Sequence, residues 1–140
     1  MYSKILVPIS AKNLEIRARA VLLHALALNP ETNKILLLYV TEPISGLVGG
    51  QSHAQLKREQ EEEGRVFLHT AINTIGERSF AVRIEEGTVA ETIVRVAHEE
   101  KSDLIIMFTD GRDSLQDALL GSITERVLRL SDIALLAIRH

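Results

Sequence analysis

Residues 34–40 form an almost continuous aliphatic run, and this run constrains the fold more than any other segment of the sequence. A strand with one face in water alternates apolar and polar side chains. A continuous aliphatic run is typical instead of a strand buried on both faces of a parallel sheet. Similar but shorter apolar segments recur along the chain and predict further strands at residues 2–9, 80–84, 104–108 and 133–138.

Helical patterns separate these apolar segments. Residues 14–28 predict a first helix, and the pattern places Ala20, Val21, His24, Ala27 and Leu28 on its apolar side. A second helix is predicted over about residues 53–75, with its apolar stripe formed by Leu56, Phe67, Leu68, Ala71, Ile72 and Ile75. The acidic run at residues 59–63 of this helix is interpreted as a solvated face.

Two capping boxes mark the starts of the remaining helices. Thr88 with Glu91 opens a helix that extends through Ala97, and Ser122 with Glu125 opens the last one. Strands that alternate with helices of ten or more residues pair in parallel through right-handed crossovers. The predicted fold is therefore α/β: a doubly wound, open, five-stranded parallel sheet of the Rossmann-like type, with helices on both faces.

The composition limits the classes of partner and compartment. The 140 residues predict a single domain, 1–140, with 46% apolar and 25% charged residues. A net charge of −3 and an aromatic content of 4% give no basis for nucleic-acid binding. The chain has no cysteine and no apolar run near the roughly 18 residues of a membrane helix. We expect a cytoplasmic protein that binds neither nucleic acid nor membrane.

In a doubly wound sheet, ligands bind beyond the carboxyl ends of the strands. The candidate loops follow the first, second and fourth strands, at residues 10–13, 41–50 and 109–121. The last loop joins an apolar strand to a helix start through Gly111 and Gly121. Free amides at a helix N-terminus favour an anion, so this loop predicts a phosphate site.

Several motifs in a fixed order give the sequence a family resemblance. They are the opening at Lys4–Pro8, the segment at residues 38–43, the Gly87–Ala90 tetrapeptide, the run at residues 102–107, Gly111 with Arg112, and the run at residues 119–128. Together they make the chain similar to the universal stress proteins over essentially its whole length. The resemblance implies a variant of the fold that is like the adenine nucleotide alpha hydrolases.

Members of that family that bind ATP resemble a pattern of three glycines with intervals of two and nine residues, followed by Ser or Thr. Gly111, Gly121 and Ser122 fit this pattern here, but Phe108 stands where the first glycine is expected. A second departure follows the first strand, where Ser10 replaces the aspartate of nucleotide-binding members. The phenylalanine ring either fills the nucleoside pocket or turns into the core, and the serine weakens a hydrogen bond to ribose.

The resemblance implies a stress-associated protein that binds an adenine nucleotide (ATP, ADP or AMP) with Mg²⁺, or alternatively no cofactor. Backbone around the first two strands would hold the nucleoside and the glycine loop would hold phosphate. The implied binding residues are Pro8, Ile9, Ser10, Val40, Met107, Gly111, Arg112, Gly121, Ser122 and Ile123.

Catalysis has no strong candidate in the sequence. A P-loop lysine and a Gly-x-Ser-x-Gly elbow are both missing. A slow hydrolase or kinase would depend on Asp110 and Asp113, and we rank it last. The alternative to nucleotide binding is a nucleotide-free homodimer that acts through protein contacts. The aliphatic segment from Ile133 to Ile138 would be the sheet edge that pairs across a two-fold axis.

Overall fold

Strands and helices alternate along the whole described part of the chain, which in this computed structural model comprises residues 2–12, 14–76, 78–109 and 121–139. The strands are β1 (Ile5–Pro8), β2 (Ile35–Thr41), β3 (Ala81–Glu86), β4 (Leu104–Phe108) and β5 (Ala134–Ile138). The helices are α1 (Leu14–Leu28), α2 (Gly50–Asn73), α3 (Val89–Glu99) and α4 (Ser122–Leu130), and a 3-10 turn at Thr32–Lys34 precedes β2. No helix among these residues is both long and apolar enough to cross a membrane.

The strands form one parallel sheet in the order β3-β2-β1-β4-β5, which confirms the predicted fold. β1 lies at the centre, where Val7 is aligned with Leu37 of β2 and Leu6 with Ile105 of β4. After β3 the chain crosses to the other side of β1 before it forms β4. The order therefore reverses between β1 and β4, where connecting segments diverge and leave room for a ligand.

Alternate side chains of the central strands enter two separate cores. Ile5 and Val7 join a cluster that also contains Leu22 of α1 and Leu68 of α2. Leu6 belongs to the opposite cluster, together with residues of α3 and α4 such as Ile93 and Val127. Because β1 is buried from both sides, its apolar residues need no alternation with polar ones.

The apolar side of α1 differs from the prediction. The buried residues are Ala18, Val21, Leu22 and Ala25. His24 is exposed, and its Nδ1 lies 2.8 Å from the carbonyl oxygen of Ala20. Alanine at many positions blurs the apolar periodicity of this helix, so the sequence pattern alone placed the stripe too far round the helix. In α2, the predicted Leu56 is also largely exposed, at 40%.

The predicted capping boxes are also corrected. Thr88 does occupy the N-cap position of α3, but its side chain makes no capping hydrogen bond. Ser122 is the first helical residue of α4, and the N-cap is Gly121, whose carbonyl accepts the Glu125 amide at 2.9 Å. The box at Ser122 was therefore placed one residue late.

Charged side chains cover the β3 edge of the sheet. The Arg83 guanidinium donates to Glu85, Glu99 and Glu100, and Arg95 donates to Glu85 and Glu99. The hydrogen bond from Arg83 lowers the pKa of Glu85, and that from Arg95 adds to the effect. This network ties β3 to the end of α3 and places charge on an edge that could otherwise pair with another chain.

Candidate functional site

A cavity of about 560 Å³ lies beyond the carboxyl ends of β1, β2 and β4, where the strand order reverses. Its volume falls within the range of sites for small molecules, roughly 300–1,000 Å³. Helices contribute walls on several sides, with Arg17 from α1, Gln60 and Glu63 from α2, Ile93 from α3 and Thr124 from α4. The sheet thus supplies the floor, and the diverging helices supply the walls.

All of the predicted binding residues that the structure describes line this cavity. They are Pro8, Ile9, Ser10, Val40, Met107, Gly121, Ser122 and Ile123. The predicted Gly111 and Arg112 lie outside the described residues, as do Asp110 and Asp113. These residues come together because each lies at the carboxyl end of a strand, directly follows one, or stands at the start of the last helix.

The first turn of α4 supplies backbone amides to one end of the cavity. The Gly121 amide donates to Thr109 Oγ1 at 2.8 Å, so this amide already has an acceptor. The first intrahelical bond comes from Glu125, and the amides of Ser122, Ile123 and Thr124 donate to no other group in the described part of the chain. Three N–H groups at the positive end of a helix are a suitable arrangement for an anion.

Thr109 holds this helix start in place, a role that no motif in the sequence indicates. Its side chain is 2% exposed, and its amide donates to the Ile138 carbonyl at 2.9 Å. Through its hydroxyl and its amide, Thr109 links the end of β4 to both α4 and the end of β5. A threonine directly after a buried strand is the only sequence signal of this role, and such a threonine is common.

Phe108 lies in the cavity wall without closing it. Its ring packs against the core formed with α1 and α2, and the Arg17 guanidinium carbon lies 4.8 Å from the ring centroid. Contact of a guanidinium with a ring face is attractive and fixes both side chains. Of the two expected outcomes for Phe108, the structure favours a ring turned towards the core, which leaves the cavity open.

Ser10 is engaged in a local turn at the mouth of the cavity. Its Oγ accepts the Lys12 amide at 3.2 Å and is otherwise exposed. A hydroxyl that accepts one bond still has a proton to donate. At this position the chain therefore offers a neutral donor where an aspartate would offer only acceptors.

The opposite wall is acidic and is formed by β2 and α2. A Cβ built on Gly64 would lie 2.8 Å from Cδ2 of Tyr39, so only glycine allows this close approach of α2 to β2. The approach places Gln60, one helical turn before Gly64, over the cavity. Burial raises the pKa of Tyr39, and the nearby carboxylates of Glu63 and Glu42 raise it further.

Residues 59–63 form a largely solvated face, as the sequence indicated, and one side of this face borders the cavity. Gln60 and the exposed Glu63 line the cavity, and the exposed Glu62 pairs with Arg65 at 3.0 Å. The described residues contain no group of three or more His, Cys, Asp or Glu that could hold a metal ion. Periodicity within α2 could not reveal this wall because it depends on the contact between Gly64 and Tyr39.

Comparison with known proteins agrees with this architecture. The model of the Universal stress protein family matches residues 1–139. The chain belongs to the universal stress protein family. Universal stress protein MJ0531 of Methanocaldococcus jannaschii is 29% identical over 144 residues, which cover 99% of this chain and 83% of that protein.

Solved structures of universal stress proteins share the fold. That of MJ0577, also from M. jannaschii, has a TM-score of 0.75 at 29% identity and covers 100% of this chain and 97% of its own. A universal stress protein in complex with cAMP has a TM-score of 0.63 at 21% identity, with 98% of this chain and 97% of that chain covered. The family resemblance stated from the sequence is confirmed.

The role of Thr109 in this universal stress protein leads to a prediction on hydrogen exchange. Thr109→Val keeps the shape of the side chain but removes the acceptor for the Gly121 amide. We expect faster exchange of the Gly121 amide and a loss of about 1 kcal/mol in the free energy of unfolding. Amide exchange followed by NMR, with denaturant unfolding, measures both.

Thr109→Ser is the matched control because it keeps the hydroxyl and loses only a methyl group. Its Gly121 amide is expected to exchange at nearly the wild-type rate. Equal protection of Gly121 in the valine variant and the wild type would contradict the assigned role of the hydroxyl.

Proposed function

We propose that this universal stress protein is a non-catalytic binding protein whose ligand is an adenine nucleotide held in the cavity. The observation that carries the proposal is that free amides of α4 and the ends of β1 and β2 line the same cavity of about 560 Å³. The α4 end of the cavity offers hydrogen-bond donors, which suit phosphate, and the β1 and β2 end offers an apolar surface, which suits a nucleoside. A cytoplasmic location is part of this proposal.

Phosphate would bind at the first turn of α4. The donors are the amides of Ser122, Ile123 and Thr124, since the Gly121 amide is bonded to Thr109. The Ser122 hydroxyl, which is exposed, adds a side-chain donor. A phosphate at a helix N-terminus gains both hydrogen bonds and the favourable helix dipole.

The nucleoside would lie against the ends of β1 and β2. Pro8 and Val40 are half-buried there, and Ile9 and Met107 are buried beneath the cavity. An apolar floor with few polar groups suits a flat base, which loses little by leaving water. The universal stress protein described in complex with cAMP supports an adenine nucleotide as the ligand class.

The proposal does not depend on a metal or on turnover. The described carboxylates at the cavity, Glu42 and Glu63, belong to the β2 and α2 wall and not to the α4 end. Within the described residues, a Mg²⁺ that accompanies the nucleotide would be bound by phosphate oxygens and water. Binding without hydrolysis needs only the donors and the apolar floor.

A proline at position 122 tests the phosphate end directly. Proline is favoured at the first position of a helix, and the preceding Gly121 has φ −63° and ψ 153°, which a residue before proline readily adopts. Ser122→Pro should keep α4 intact but remove one amide donor. We expect ATP affinity to fall about tenfold, and adenosine affinity to change little, in calorimetric titrations.

Ser122→Ala is the control because it removes the hydroxyl and keeps the amide. It should retain ATP affinity to within a fewfold. An unchanged ATP affinity in the proline variant would contradict phosphate binding at α4, and no saturable ATP binding by the wild type at millimolar concentration would contradict the whole proposal.

A homodimer that acts through protein contacts is the second candidate. β5 is an edge strand, and Leu128 and Leu130 of the adjoining α4 segment are 51% and 43% exposed. The other edge, β3, carries the charged network of Arg83, which disfavours pairing there. Pairing of β5 with its two-fold copy would satisfy edge amides and cover aliphatic surface.

Light scattering on the full chain at micromolar concentration tests this candidate. We expect a mass twice that of one chain for the wild type, and a single-chain mass for Ala134→Glu, which places a charge on the exposed start of the edge strand in both copies. Val82→Glu, an exposed position on the opposite edge strand, is the control and should stay dimeric. A wild-type mass of one chain would sink the dimer.

A further inference from the structure

Gln60 carries an acceptor that the described protein leaves unused. Its Oε1 is shielded from solvent and has no hydrogen-bond partner among the described residues, while other atoms of the residue line the cavity. Buried polar atoms without a partner are rare because they lose their bonds to water without replacement. Rotation of the side-chain amide about its last bond, a soft torsion, brings this atom to the cavity, where a ligand can supply the missing donor.

The surroundings of Gln60 favour a donor over an acceptor in the ligand. Tyr39 lies beneath this wall, where burial raises the pKa of its hydroxyl and the nearby carboxylates of Glu63 and Glu42 raise it further. Both carboxylates also line the cavity. A carbonyl oxygen placed here would face negative charge, whereas an amine would be attracted.

The wall lies apart from the anion end. α2 packs on β2, and α4 begins beyond β4, so β1 separates the two in the sheet order. A nucleotide whose phosphates reach α4 would therefore direct its base towards β2 and α2. The edge of that base, and not its phosphates, would meet Gln60.

We propose that Gln60 is a specificity-determining residue that accepts a hydrogen bond from the exocyclic amine of the bound base. The inference rests on the proposed nucleotide function and deepens it. Adenine presents an amine at its 6-position, whereas hypoxanthine presents a carbonyl oxygen there. Glu63 and Glu42 reinforce the choice through their charge, and the Gly64 contact with Tyr39 positions the helix that carries Gln60.

Titration of the full chain with ATP and with ITP, whose base has a carbonyl in place of the 6-amine and a proton on N1, tests the proposal. We expect the wild type to prefer ATP by about five- to tenfold, the discrimination that one hydrogen bond typically provides. Gln60→Leu should reduce the preference to about twofold or less and leave the affinity for inorganic tripolyphosphate unchanged. Gln60→Glu keeps an acceptor and should maintain or increase the preference.

Gln55→Leu is the matched control, since Gln55 lies on the same helix, is exposed and bonds to Glu59. It should behave as the wild type. Three outcomes would overturn the role of Gln60 while ATP binding itself stands. The wild type could bind ATP and ITP equally, the preference for ATP could survive Gln60→Leu, or Gln60→Glu could abolish it. If neither nucleotide binds the wild type, the proposed function fails and this inference fails with it.

Discussion

Burial of β1 between β2 and β4, with helices on both faces, is the constraint on which the rest of the structure depends. A strand covered from both sides must be apolar throughout and must join its parallel neighbours through helices. At the carboxyl ends of the strands, the connections to these helices turn in opposite directions on the two sides of β1. The cavity is thus a consequence of the topology, and local residues only decide what it can hold.

Two local contacts shape the cavity into a site with distinct ends. The Thr109 hydroxyl accepts a hydrogen bond from the Gly121 amide and so fixes the start of α4. The next three amides remain free to donate within the described part of the chain. Gly64 allows α2 to approach Tyr39 closely and so brings Gln60 and Glu63 into the opposite wall. One end is therefore suited to an anion and the other to a hydrogen-bond donor.

The fold and half of the site could be predicted from the sequence because both follow local rules. The apolar runs at β2 and β4 identify a parallel sheet, and residues such as Ser10 and Val40 are implied by the family resemblance and by their place at the carboxyl ends of strands. Thr109 and Gln60 could not be found in this way, because their roles depend on contacts between elements distant in the chain. The capping box at Ser122 shows the related limit, since the pattern marked the helix start but misplaced its cap by one residue.

An NMR titration of the labelled full chain with ATP tests the central claim that one cavity binds phosphate at α4 and a base at β2. The account predicts saturable shifts of the Ser122, Ile123 and Thr124 amides together with those around Val40, while the amide of Val82 at the far edge is unchanged. Shifts confined to residues away from the cavity, or no saturable shift at millimolar ATP, would contradict it.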